Sequence, residues 1–233
     1  MKRERRGRGK RIGPKVGPGW LLLLLFSFIA AACRTAPPVI VPPDSIERLE
    51  AEASFQLSGP EGNFRFRGRL YGAFPDKLRL ELFDPLGRLQ SIVWIDSGTA
   101  LVYVPREKTF WSGDSRVITS EVFGQELNSR ELSLVLSGRW AELEVAGGWA
   151  LEFDRSSQIM TGQRDGLRFE VKERYAPGPV PKIIFFVCGE YRVKVRLQKI
   201  AFNRNFNFSL LDPSIPVGTR RVEWAEIAGR WKS

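Results

Sequence analysis

Residues 49–57 read Leu49-Glu50-Ala51-Glu52-Ala53-Ser54-Phe55-Gln56-Leu57. Every odd position is apolar and every even one polar, the period of two that marks a strand with one buried and one wet face. Gly59-Pro60-Glu61-Gly62 follows as a turn signal. Beyond it Phe64, Phe66 and Leu70 alternate with Arg65, Arg67 and Arg69, then Leu78, Leu80 and Leu82 with Lys77, Arg79 and Glu81. Residues 90–96 and 99–104 predict a further hairpin around Ser97-Gly98. The second half has the same alternation. Leu167, Phe169 and Val171 oppose Arg168, Glu170 and Lys172, and Tyr191, Val193, Val195 and Leu197 oppose Arg192, Lys194, Arg196 and Gln198. A parallel sheet covered on both faces would read as continuous apolar runs, so this alternation predicts a mainly β fold built on a large, curved antiparallel sheet with one solvated face.

Helical signals are few. Asn128-Ser129 can cap a helix over 130–137, with Leu132, Val135 and Leu136 on one side and Gly138 as the stop. A weaker helical turn covers 115–123, and residues 44–49 read as a helical start. The acids Glu142 and Glu144 read as the outward face of a strand. So little helix can cover part of one sheet face but not both. With no internal repeat and no boundary after residue 45, residues 45–233 are expected to form one domain.

The chain of 233 residues carries 36 basic and 26 acidic side chains, a formal charge of +10. Residues 1–32 hold eight of the cations against the single acid Glu4, a contribution of +7. A nucleic-acid binder keeps its basic excess in the folded part, and this chain does not. Residues 20–32, Trp-Leu-Leu-Leu-Leu-Leu-Phe-Ser-Phe-Ile-Ala-Ala-Ala, are uncharged but too short to cross a hydrocarbon core that needs about 20 apolar residues. Basic, then apolar, then small is the order of an export signal peptide, here residues 1–32. It ends Ala30-Ala31-Ala32-Cys33, which resembles a lipobox and makes Cys33 the expected site of lipidation; the alternative is an ordinary signal peptide with a chance cysteine. Residues 33–44, with four prolines, then read as an extended tether. Lipidation of Cys33 leaves Cys188 alone, within an apolar run where a buried, inert thiol is expected.

Histidine is absent, which removes Ser-His-Asp and Cys-His catalysis and His-ligated zinc. No Ser-x-x-Lys, Gly-x-Ser-x-Gly or phosphate-binding glycine loop occurs in a strand–helix setting. The expectation is a protein that is not an enzyme and carries no metal or cofactor. One segment stands out instead: an amphipathic strand ending in Phe83-Asp84-Pro85-Leu86-Gly87, a turn with an apolar residue at its tip. Either Leu86 folds back onto its own sheet, or it points away to enter a membrane or a partner.

The run Leu80-Glu81-Leu82-Phe83-Asp84-Pro85-Leu86-Gly87, preceded by Phe66-Arg67-Gly68-Arg69-Leu70 and by the lipobox, resembles the LolB family of outer-membrane lipoprotein insertases and its LolA-like relatives. The likeness extends over about residues 45–215. It implies an incomplete antiparallel β-barrel of about eleven strands, partly covered by short lid helices. It further implies an apolar cavity that accepts lipoprotein acyl chains from a LolA-like periplasmic carrier, and a loop at Leu86 that inserts them into the bacterial outer membrane. The protein itself would sit lipid-anchored on the periplasmic face. The long basic N-terminus, Ala30 in the lipobox and residues 222–233 depart from the family pattern. Phe66, Leu78, Leu80, Val93, Tyr103, Leu132, Leu136, Phe169 and Val195 are the candidate cavity residues, against the alternative that several are plain core. A structural envelope lipoprotein, or a carrier of other lipids on the same fold, is the competing functional expectation.

Overall fold

The structure, a computed structural model, describes residue 40 and residues 43–231 apart from 61, 75, 176, 177 and 206. The expected leader, Cys33 and most of the tether lie outside the described residues. Those described belong to one compact unit, Val39–Ser233.

Six strands come first: β1 (Arg48–Gly59), β2 (Gly62–Ala73), β3 (Lys77–Phe83), β4 (Leu89–Asp96), β5 (Thr99–Val104) and β6 (Thr109–Asp114). Three helices follow: α1 (Ser115–Phe123), α2 (Ser129–Ser137) and α3 (Trp140–Val145). The chain then returns through β7 (Ala150–Phe153), β8 (Ile159–Arg164), β9 (Leu167–Arg174), β10 (Pro181–Cys188) and β11 (Tyr191–Phe202), and ends in β12 (Arg220–Arg221) and α4 (Trp224–Trp231). All twelve strands form one open sheet in the order β12-β6-β5-β4-β3-β2-β1-β11-β10-β9-β8-β7. Eleven are antiparallel neighbours; the two-residue β12 alone pairs in parallel, along β6. The expected incomplete antiparallel barrel is thus found as an open sheet whose ends do not meet, with twelve strands where about eleven were expected.

The alternation read from residues 49–57 sets which face is buried. Ala53 pairs with Gly68 and Leu197, Phe55 with Phe66 and Val195, and Leu80 with Leu70 and Val93, so one continuous apolar inner face runs across the sheet. Because β6 and β7 lie toward opposite edges of the sheet, α1–α3 have to cross a face to join them. Ile118, Phe123, Leu134, Val135 and Leu136 bury themselves there, in the same cluster as Leu49, Val93 and Val195. Two local expectations fail. Residues 44–49 are not helical: strand begins at Arg48, and Asn203 accepts the Glu47 and Arg48 amides that a helical turn would have used. Glu142 and Glu144 lie on α3, where an Arg139–Glu142 ion pair at i, i+3 suits a helix, not a strand.

The far half of the inner face is filled by aromatics. Phe169 is fully buried, stacked on Trp140 at 5.6 Å, and flanked by Trp149 and Phe186 at 5.3 and 6.4 Å. Gly162 makes room for that ring, since a Cβ there would lie 2.3 Å from Phe169. On the outer face, residues 203–219 cross β3 and β4. The Leu210 carbonyl accepts from Arg79 at 2.7 Å and from the Trp94 indole at 3.0 Å. The chain then rounds the sheet edge as β12, and α4 puts Trp224 against Trp111 of the inner face at 4.9 Å and buries Ile227.

Gly162→Ala is expected to displace the Phe169 ring and cost about 1–3 kcal/mol, a Tm drop of roughly 3–9 °C for a domain of this size, measurable by thermal melting followed by circular dichroism.

Candidate functional site: an apolar cavity and an exposed leucine turn

Helices α1 and α2 do not fill the half of the inner face they cross. Between them and β1–β4 and β11 lies a cavity of about 150 Å3. Its floor is Ala53, Leu70, Leu78, Val93, Val195 and Leu197; its roof is Ile118, Val122 and Phe123 from α1 and Leu132 and Leu136 from α2. Phe55, Leu57, Phe66, Leu80, Val122 and Leu132 are only half-buried, whereas Leu78, Val93, Val195 and Leu197 are buried. The cavity therefore has a deep end and a partly open one toward the β1–β2 hairpin.

Among the described residues the lining contains no titratable side chain, and Thr119 is its only polar residue. That hydroxyl is already engaged: it accepts the Leu127 amide at 3.1 Å and donates to the Arg116 carbonyl at 3.2 Å. A polar ligand group placed here would lose its water without a partner, at a cost of a few kcal/mol. Hydrocarbon loses nothing. The present volume is smaller than the roughly 300–1,000 Å3 of sites that enclose a drug-sized ligand. An occupant of that size requires α1 or α2 to lift.

The two roof helices are held unequally. The N-terminus of α2 carries a capping box, in which Asn128 accepts the Glu131 amide at 2.8 Å and Glu131 accepts the Asn128 amide at 3.1 Å. The buried Glu131 carboxylate also pairs with Arg164 of β8 and accepts the Trp149 indole at 3.3 Å, while Arg164 stacks over that indole at 4.9 Å. Helix α1 has a cap at Asp114, whose carboxyl the Arg116 side chain and amide hold down to about 2, but that cap and its arginine are exposed. The contact of Arg116 with Glu126 at 3.8 Å is exposed as well.

Phe66, Leu78, Leu80, Val93, Leu132, Leu136 and Val195 all line the cavity. Tyr103 does not. Val93 pairs with Val102, so Tyr103, opposite Ile92, points to the outer face and joins Ile92 and Trp94 in a separate cluster. Phe169 is on the inner face but belongs to the Trp140–Trp149 packing. Cys188 is half-buried rather than buried, with Sγ donating to the Gly124 carbonyl at 3.6 Å. Sequence reasoning missed Phe55 and Leu57, although they continue the alternation of the very stretch that identifies β1.

Leu86 is 78% exposed at the tip of the β3–β4 turn and folds back onto nothing. Asp84 builds that turn. Its Oδ1 accepts the amides of Leu86 and Arg88 at 2.9 and 2.8 Å, its Oδ2 accepts Arg88 Nε at 2.7 Å, and its carbonyl accepts the Gly87 amide at 2.9 Å. Aspartate at the first turn position, proline at the second and glycine at the fourth is the type I signature, and Gly87 adopts a φ of +81°. The Arg88 amide holds the Asp84 carboxyl below its ordinary value; burial opposes this, and the Arg88 guanidinium and Leu86 amide add to it. A depressed folded-state pKa stabilises above the unfolded value and is lost as pH falls through the folded one. The turn should therefore stay ordered from neutral pH down through the ordinary aspartate range near 3.9, and loosen only below it. Asp84→Ala should raise hydrogen exchange at the Leu86 and Arg88 amides roughly five- to tenfold at neutral pH, as read by NMR.

No protein-family model and no curated protein sequence matches the chain. Several solved structures are similar to it. A LolA superfamily protein from Nitrosomonas europaea is 7% identical, with 72% of this chain and 90% of that one covered at a TM-score of 0.47. A DUF1329 family protein from Desulfovibrio piger is 8% identical, with 72% and 91% covered and a TM-score of 0.48. An outer membrane lipoprotein-sorting protein domain from Vibrio parahaemolyticus is 8% identical, with 72% and 91% covered and a TM-score of 0.44. At such identities no residue-level role carries over.

Proposed function

We propose that the chain is a non-enzymatic acceptor of lipid hydrocarbon chains that helps place lipidated cargo in the bacterial outer membrane, where Cys33 anchors it. The observation that carries this reading is the cavity wall: wholly apolar but for one hydroxyl that is already bonded, with no titratable group that could activate a substrate. Such a wall selects acyl chain and leaves any headgroup outside. The exposed Leu86 on a turn built by Asp84, and the lipobox-like Ala30-Ala31-Ala32-Cys33, fit a protein that works at a membrane surface.

Each methylene brought from water into the cavity contributes about 0.8 kcal/mol, so a fully enclosed acyl chain would hold too tightly to be passed on. The small resting volume answers this. Opening the roof exposes the apolar faces of α1 and α2, and that cost offsets much of the gain on filling. Cargo can then leave for a bilayer, where its methylenes are equally well buried. Helix α1, whose Asp114 cap and Arg116 pairs are exposed where the Glu131 pair of α2 is buried, is the element suited to lift, and a LolA-like carrier is the natural donor.

Two substitutions separate acceptance from delivery. Leu80→Glu places a charge at the half-buried end of the cavity and should abolish uptake of a fluorescent fatty acid while leaving the circular dichroism spectrum unchanged. Leu86→Glu should leave uptake intact but block transfer of bound cargo to vesicles, because the roughly 1.5–3 kcal/mol gained by burying a leucine is replaced by the cost of bringing a carboxylate into lipid. Wild-type protein that takes up no fatty acid, or a Leu86→Glu variant that delivers normally, overturns the corresponding half of the proposal.

A further inference from the structure

The outer face of the sheet holds a second feature, beside the leucine turn. Several cations elsewhere on this face have acids nearby: Lys199 pairs with Glu52 at 3.0 Å, Lys182 with Glu173 at 3.0 Å, Lys172 with Glu170, and Arg69 lies in register between Glu52 and Glu81. Arg65 and Arg67 of β2 and Lys194 and Arg196 of β11 differ. Among the described residues none of these four has an acidic partner. The ladder explains their grouping. Ser54 of β1 pairs with both Arg67 and Arg196, and Gln56 pairs with both Arg65 and Lys194. Two rows result, each a cation, a neutral hydrogen-bonding side chain and a cation. With strands about 4.8 Å apart and same-face residues roughly 7 Å apart along a strand, the four cations frame a patch of roughly 7 by 10 Å.

That patch lines an open groove of about 490 Å3, together with Pro85, Phe55 and Phe66. The flanking register positions are apolar rather than acidic: Phe83 beside Arg67, Phe185 beside Lys194 and Ile183 beside Arg196. Four unneutralised cations around two hydrogen-bonding side chains, bordered by apolar residues and adjoining an exposed leucine, complement a surface of phosphate lying directly above hydrocarbon. The patch is too short to track a nucleic-acid backbone. We propose that this groove docks the phosphate headgroups of anionic lipid and so sets the orientation in which Leu86 meets the bilayer; the orientation part rests on the membrane role given to Leu86 above.

The test uses the full chain with its leader intact, so that the leader's contribution is common to all variants. Arg65→Glu/Lys194→Glu is compared with Arg106→Glu/Arg155→Glu, which makes the same charge change at exposed sites elsewhere. Binding is measured to vesicles of phosphatidylcholine alone and to vesicles that include phosphatidylglycerol, across a salt series, with the thermal melt as the check on folding. Each cation near an anionic surface is worth roughly fivefold in affinity, so the groove pair should weaken binding to the anionic vesicles at least about tenfold and flatten the salt dependence. The Arg106/Arg155 pair should stay within about twofold of wild type, and binding to phosphatidylcholine alone should not change. Equal losses in the two pairs, or none in the groove pair, overturn the proposal. So does a groove pair that keeps its vesicle binding but loses binding to a single-stranded oligonucleotide. Fatty-acid uptake, run in parallel, should be unaffected in both pairs; its absence from the wild-type protein would sink the acceptor reading while leaving the vesicle result to stand or fall alone.

Discussion

The chain leaves the sheet at β6 and re-enters it at β7, and these strands lie toward opposite edges of one open sheet. A connection of residues 115–149 has no short way round, so it must cross a face, and the apolar inner face is the one that gains from being crossed. The rest follows from that crossing. Over β7–β10 the aromatic group of Trp140, Trp149, Phe169 and Phe186 fills the gap to close packing. Over β1–β4 and β11 two short helices bring aliphatic side chains, Phe123 and the already bonded Thr119, and a cavity is left. The capping box of α2, bonded through Glu131 to β8, fixes where the packed half ends and the hollow half begins.

The outer face shows a complementary division. Residues 203–219 cover β3 and β4, so Ile92, Val93, Trp94 and Ile95 are buried on both sides of the sheet. That strand departs from alternation for the physical reason that a parallel sheet does: neither face is wet. The rest of the outer face stays in water and keeps its charges. Several neutralise one another; the four around Ser54 and Gln56 do not.

How much of this can be read from the sequence depends on whether the local pattern and the tertiary environment agree. They agree in β1, β2, β3, β9 and β11, where one face is dry and the other wet, and four of the proposed cavity residues, Phe66, Leu78, Leu80 and Val195, follow from strand phase alone. They agree in α2, whose Asn128 cap and Gly138 stop are local chemistry. They conflict in β4 and β5. There the covering segment lies more than a hundred residues downstream, an apolar Tyr103 carries no mark of the face it serves, and only the Val93–Val102 register places it outward. Glu142 and Glu144 fit a strand's outward face as well as the exposed side of a single helical turn, and so short a helix has no periodicity to distinguish them. Phe169 has the right phase for the cavity, but the indoles that enclose it come from residues 140 and 149, which no pattern within β9 announces.

The central position of β1 carries a kinetic consequence. Its two neighbours arrive at very different times: β2 begins three residues after β1 ends, whereas Leu49 meets Phe202 only when almost the whole unit has been laid down. Until then one edge of a twelve-residue strand presents its amides and carbonyls unpaired, with Ala51, Ala53, Phe55 and Leu57 uncovered. Contacts of such long sequence separation slow folding, and an open edge of that length is a template for pairing with other chains. Beyond its first residue the charges on the wet side of β1 are acids only, Glu50 and Glu52, and those of β11 are cations only, among them Lys194, Arg196 and Lys199, so two copies of either strand bring like charges together, whereas the β1–β11 register sets Glu52 opposite Lys199. The charge pattern of the solvated face therefore favours the slow correct pairing over the fast wrong one while the chain is still incomplete.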